Sequence, residues 1–90
     1  MNDEHKKRLK KQLDDMHVWP AVFMFKFVVP TLPANIVELK SIFGEVVEYS
    51  TRESRNGKYT SVTIKEMVLS ADIIFERYEQ ASKIEGIISL

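Results

Sequence analysis

Side chains of the types that carry out catalysis or hold metals are sparse in this sequence. The two histidines, His5 and His17, both lie near the start of the chain, and no cysteine occurs. A zinc site needs several histidine, cysteine or carboxylate ligands at suitable spacing, and no cysteine or carboxylate lies at such a spacing from these histidines. The serines have no histidine in the expected core to act as their base, and no Gly-x-Ser-x-Gly motif is present. We therefore expect a non-enzymatic protein without metal or other cofactor.

The densest local positive charge surrounds the dipeptide Asn56-Gly57. Guanidinium and ammonium groups placed together can bind a carboxylate or a phosphate. Exposed hairpin tips also favour long charged side chains, so a merely solvated turn is the alternative interpretation. The candidate residues for binding a ligand or partner at this turn and along the strand after it are Arg52, Arg55, Lys58, Tyr59, Ser61 and Lys65.

Four strands and two helices are predicted to position these residues. Apolar alternation predicts a strand over 20–29, and Asn56-Gly57 predicts a hairpin between strands 45–53 and 59–68, because both residues tolerate positive φ. Helical spacing predicts one helix over 33–43, stopped by Gly44, and another from an N-cap at Ser70 to about Lys83. The final run, 84–90, is predicted as a short edge strand with a bulge at Gly86. This order predicts an α+β fold in which two helices cover one face of a four-stranded antiparallel sheet.

The same alternation assigns side chains to the two faces of the sheet. Phe23, Phe25 and Phe27 are predicted to pack under the helices, while the other face stays open. Apolar and hydroxyl side chains on such a face suit contact with a protein partner or with a second copy, so we expect a homodimer. The candidate contact residues on the open face are Val22, Met24, Val28, Thr63 and Met67.

Charge and length restrict the remaining possibilities. Thirteen basic and thirteen acidic residues balance, so no global field attracts nucleic acid or anionic membrane. Residues 1–17 are predicted to form a charged helical or flexible arm, either simply solvated or binding a partner or nucleic acid, and residues 18–90 a single domain. Without cysteine, a signal peptide or a membrane-spanning run, the chain is expected in the cytoplasm.

RNA-recognition motifs use the same element order and stack bases on aromatic residues of the first and third strands. When their third-strand pattern is aligned so that its valine matches Val62, Tyr59 is the one aromatic residue present. Ser61 and Ile64 stand where rings are required, and Gly57 stands where a basic residue is required. Weak RNA binding is therefore kept only as the last alternative.

The stretch SRNGKYTSVTI at 54–64, with Trp19-Pro20 leading into a phenylalanine-rich strand, resembles the YbeD-like family of uncharacterised bacterial proteins, domain of unknown function 493. The resemblance extends over roughly residues 18–90 and includes the ending IEGIISL. It implies a ferredoxin-like βαββαβ sandwich, preceded here by the N-terminal helical arm, and similar to ACT-type regulatory domains that bind amino acids between paired copies. It implies no catalytic residues.

The leading hypothesis is a regulatory or adaptor domain that acts through protein contacts. The alternative is an ACT-like sensor of an amino acid or small anion. ACT domains place their ligand near a glycine in the turn after the first strand, and the corresponding segment, Pro30–Pro33, contains none.

Overall fold

A computed structural model describes residues 3–44 and 46–90. It contains three helices and one four-stranded antiparallel sheet in the order β2-β3-β1-β4. The elements follow one another along the chain as predicted. They are α1 (Asp3–Met16), β1 (Ala21–Pro30), α2 (Pro33–Ile42), β2 (Val46–Glu53), β3 (Tyr59–Val68), α3 (Ala71–Ala81) and β4 (Ile88–Ser89).

The two long strands β1 and β3 form the centre of the sheet. They pair along their full length, from Ala21 opposite Val68 to Pro30 opposite Tyr59. Phe25 and Phe27 on β1 and Ile64 on β3 are all 0% exposed, as the alternation predicts. Burial of an aromatic or branched side chain of this size contributes about 1.5–3 kcal/mol, so these two strands supply much of the stability of the domain.

Helices α2 and α3 cover the phenylalanine side of the sheet. Pro33 occupies the first turn of α2, where its missing N–H costs nothing, and Leu39 from this helix is fully buried. Ile74 and Ala81 are the corresponding buried residues of α3. The Phe25 ring meets Phe43 edge-on, with ring centroids 5.0 Å apart. Ser70 lies at the predicted N-cap of α3 with an extended backbone, but its hydroxyl makes no capping hydrogen bond.

The predicted β2–β3 hairpin is confirmed, with Asn56 and Gly57 in its loop. Within this loop, only Gly57 has positive φ, at 73°. Asn56 acts through its side chain instead: Oδ1 accepts hydrogen bonds from the Lys58 N–H at 3.0 Å and the Ser54 hydroxyl at 2.9 Å. The Ser54 N–H donates to the Tyr59 carbonyl at 2.8 Å and closes a four-residue loop. The start of β2 predicted at Glu45 lies outside the described residues.

The predicted strand 84–90 is wrong in extent, since only Ile88–Ser89 pairs with β1. Ile84 instead packs into the core after the end of α3, at 3% exposure. Gly86 has φ of 78°, outside the extended region, and a Cβ there would lie 2.9 Å from Cγ of Pro30. Gly86 therefore forms a turn before the strand and is not a bulge within it.

Helix α1, from the charged arm, lies against α3. None of its residues is fully buried, although Leu13 packs against the edge of the core. Lys10 forms an exposed ion pair with Asp72 at 3.2 Å. After the last residue of α1, His17 stacks on Trp19 with ring centroids 5.2 Å apart. The Trp19 indole N–H donates a hydrogen bond to the Asp14 carboxylate at 2.8 Å. Met1 and Asn2 of the arm lie outside the described residues.

Candidate functional site on the open sheet face

The face of the sheet opposite the helices carries the candidate contact residues predicted from the alternation. At one end, Val22 on β1 lies directly opposite Met67 on β3, and Met24 is next along β1. These three side chains are between 43% and 50% exposed. Since no helix covers them among the described residues, they form a small apolar area accessible to a partner.

The next cross-strand row contains the predicted candidate Lys65. Its neighbours are Met24 on β1 and Glu48 on β2. The Lys65 ammonium lies 3.1 Å from a carboxylate oxygen of Glu48, and both side chains are more than a third exposed. Exposed pairs of this kind are worth roughly 0–1 kcal/mol. Lys65 therefore already has a carboxylate partner, while its neighbour across the sheet is apolar.

The middle of the open face is polar. Thr63 lies between Lys26 on β1 and Ser50 on β2. Beyond this row, Ser61 lies between Val28 and Arg52, and Val28 is opposite Ile88 of β4 on its other side. The face thus has apolar side chains towards both ends and a hydroxyl and ammonium row between them.

The hairpin cations are divided between the face and the loop. Arg52 is on the open face opposite Ser61, whereas Arg55 and Lys58 lie in the loop beyond the end of the sheet. Tyr59, opposite Pro30, is 47% exposed at this end. Within residues 3–44 and 46–90, no carboxylate lies within 4.0 Å of the Arg52, Arg55 or Lys58 side chains. These three cations are thus available to an anion, but the fold does not gather them into one pocket.

A buried ion pair on the helix side of the sheet was missed by the sequence reasoning. Glu66 on β3 is 1% exposed. Its carboxylate accepts hydrogen bonds from Nε of Arg77 on α3 at 3.0 Å and from the Gly44 N–H after α2 at 2.6 Å. Glu66 occupies the inward register of β3, so alternation alone places it inside. The cluster connects β3 to α3 and to the end of α2, and it stabilises the arrangement of these elements rather than forming a solvent-facing site.

Two tyrosines on the helix side have raised pKa values. Burial raises the pKa of the Tyr78 and Tyr49 phenols above their ordinary 10.0, because desolvation disfavours the phenolate. The Tyr49 hydroxyl is buried without a hydrogen-bond partner among the described residues, and the Lys40 ammonium lies 4.5 Å from its ring centroid. Burial therefore favours the neutral form of both phenols.

Residues 3–44 and 46–90 offer neither a metal-binding cluster nor a membrane-spanning helix. This part of the chain contains no group of three or more metal-ligating side chains. None of its helices is both long and apolar enough to cross a bilayer.

A protein-family model matches most of the chain. The profile of the family described as "Protein of unknown function (DUF493)" matches residues 14–90. The chain therefore belongs to this family, which confirms the resemblance based on residues 54–64. No curated protein and no solved structure matches the chain. The matched region contains the whole sheet with α2 and α3, whereas most of α1 precedes it.

Proposed function

We propose that the protein is a non-enzymatic regulatory or adaptor domain that acts through protein contacts made by its open sheet face. The observation that carries this proposal is the apolar area formed by Val22, Met24 and Met67 on the side of the sheet that the helices leave uncovered. Exposed apolar groups that lie together and are bordered by polar ones are typical of interaction surfaces. Here the border is the Glu48–Lys65 ion pair.

We also propose that the fold is ferredoxin-like and of the ACT type. In support, the central strands are first and third in chain order, the edge strands are second and fourth, and both connecting helices pack on one side. An open face on such a sandwich favours pairing with a second copy. A two-fold contact uses the same patch on both copies, so each copy would cover Met24 and Met67 of the other with its own open face. We propose a homodimer on this basis.

The test compares two apolar-to-acid substitutions, Met24→Asp on the open face and Val37→Asp on α2. Val37 is the matched control, because it is 69% exposed and lies away from the face. Sedimentation velocity over a range of concentrations is expected to show a dimer for the wild type and for Val37→Asp, and a monomer for Met24→Asp. A charge placed inside an apolar contact must be desolvated, which disfavours association.

The adaptor form of the proposal is tested by site-specific cross-linking in the native cell. A photoreactive residue at position 24 is expected to capture a stoichiometric protein, whether a second copy or another chain, and one at position 37 is not. The proposal is wrong if the wild type is monomeric throughout and position 24 captures nothing beyond what position 37 captures.

A second candidate function, sensing of a small anion or amino acid, is favoured by the unpaired hairpin cations. We infer that a carboxylate or phosphate would bind between Arg52 and the loop residues Arg55 and Lys58. Titration with aspartate or inorganic phosphate is expected to shift the amide NMR signals of residues 52–59. Arg55→Ala should weaken these shifts, and Lys83→Ala, which removes an exposed cation after α3, should not. Unchanged spectra with both probes would contradict the sensor function.

A further inference from the structure

A groove lies between α1, α3 and β1, on the helix side of the molecule and away from the open face. Its volume is about 690 Å³, and we call it the α1 groove. Ligand sites in proteins commonly measure roughly 300–1,000 Å³. The apolar side chains that line it include Leu9, Leu13, Met16, Phe23, Phe75 and Tyr78.

The α1 groove is a gap in the packing rather than part of the core. Protein interiors contain few voids larger than a water molecule, yet α1 spans this volume without burying any of its own residues completely. An ion pair that connects it to α3, between Lys10 and Asp72, is exposed to solvent. Apolar side chains on both walls thus pack on the protein on one side and border the groove on the other, and an apolar molecule lying between them would add contacts on that second side.

The charges around the α1 groove indicate the sign of a polar head group. Lys6 lines the groove, with its ammonium 5.5 Å from the centroid of the Phe75 ring. Lys6 also lines an adjoining hollow of about 220 Å³, together with Lys7, Lys10, Asp3 and Asp72.

In this hollow, Asp72 neutralises Lys10, so the two remaining lysines, Lys6 and Lys7, have one remaining carboxylate, that of Asp3, to balance them. Glu79 also lines the α1 groove and is the carboxylate that a ligand anion must avoid. The hollow by itself therefore carries one positive charge in excess, which Glu79 balances when the groove is counted with it, and Lys6 is the lysine that lines both.

We propose that the α1 groove binds a linear aliphatic carboxylate, with its hydrocarbon chain between α1 and α3 and its carboxylate at Lys6. The bound chain contacts Leu13 and Phe23 on one side and Phe75 on the other. Because α1 forms one wall, the ligand also fastens this helix to the rest of the domain. This site is independent of the contacts proposed for the open face.

The probe is dodecanoate, titrated into the full chain below its micellar concentration and followed by calorimetry and amide NMR. We expect saturable one-to-one binding, with shifts at groove residues of α1 and α3. Dodecyltrimethylammonium, which has the same chain and the opposite charge, is expected to bind more weakly. Lys6→Glu should lower the affinity for dodecanoate about tenfold, the magnitude of one lost charge-assisted hydrogen bond.

The matched control is Lys11→Glu, which makes the same charge change on the same helix at an exposed position outside the groove and the hollow. It should leave dodecanoate affinity unchanged, and thermal unfolding should show that both variants fold. Equal weakening by the two variants, shifts confined to the open sheet face, or no saturable binding of dodecanoate would each overturn the proposal. Binding only to vesicles of phosphatidylglycerol would overturn it as well, because the site would then recognise a membrane surface.

Discussion

Neighbouring residues of β1 lie in two different environments. Phe25 is fully buried, with ring contacts to Phe43 and Tyr78, while Met24, next to it in the chain, is half exposed on the open face. The same contrast holds for ion pairs. Glu66 and Arg77 meet inside the molecule, at side-chain exposures of 2% and 18%, whereas Glu48 and Lys65 meet in solvent.

The contrast separates stability from recognition within one sheet. Contacts on the helix side keep apolar side chains and an ion pair away from water. Substituting a residue in one of these contacts therefore has a large effect on the free energy of unfolding. Contacts on the open face remain hydrated and contribute little. The open face can therefore change its chemistry without loss of the fold, which is the property that a contact surface needs.

The first comparison, which includes the largest expected effect, replaces Phe25 and its neighbour Met24 with alanine, one at a time. Phe25→Ala should lower the free energy of unfolding by about 3–5 kcal/mol, because it leaves a cavity under both helices. Met24→Ala should lower it by at most about 1 kcal/mol. Urea unfolding followed by circular dichroism measures both. Similar losses for the two variants would mean that the faces do not differ as described.

The ion pairs provide the second comparison. Arg77→Met leaves the Glu66 carboxylate buried with only the Gly44 N–H as partner, and should cost about 3 kcal/mol, the low end for a buried pair because Arg77 is partly exposed. Lys65→Met, which breaks the exposed pair, should cost less than about 1 kcal/mol. The double variant Glu66→Leu with Arg77→Met should be more stable than Arg77→Met alone, since no buried charge is then left unpaired. Urea unfolding of the three variants tests this, and a double variant less stable than Arg77→Met would contradict it.

The smallest effect concerns the buried phenols. The pKa of Tyr78 is raised by burial, so the folded protein holds the phenolic proton more tightly than the unfolded chain does. The resulting stability is fully present below pH 10 and is lost as the pH rises through the raised pKa. Wild type should therefore lose stability in alkali more steeply than Tyr78→Phe. Parallel thermal melts across this range measure the difference, and coincident pH profiles would show that the phenol has no such role.

Much of the fold follows from local sequence patterns. The period of two along β1 and β3 determines which side chains face inward, because successive residues of a strand point to opposite faces. The same rule places Glu66 inside. Its partners Gly44 and Arg77 are brought to it only by the packing of α2 and α3, which local patterns do not report.

Local patterns do not report individual backbone conformations. The pattern of 84–90 is that of a strand, but Gly86 adopts positive φ against Pro30, so pairing with β1 begins only at Ile88. The hairpin itself was predicted, whereas the hydrogen bonds that the Asn56 side chain accepts in its loop were not. The α1 groove depends on how α1 packs against α3, which local patterns do not report. The helical spacing of Leu9, Leu13 and Met16 does indicate the apolar face of α1 that lines it.

The shortness of β4 also affects how quickly the backbone exchanges hydrogen with solvent. Leu90 donates its N–H to the Lys26 carbonyl, which therefore points to the β4 edge of β1. Because the backbone groups of alternate residues in a strand point the same way, those of Val22 and Met24 also face this edge. Among the described residues, no strand lies beside them, since β4 pairs only with Phe27 and Val28. The amides of Val22 and Met24 should therefore take up deuterium far sooner than those of Phe23 and Phe25, which point towards β3. Protection is thus expected to alternate residue by residue along a single strand.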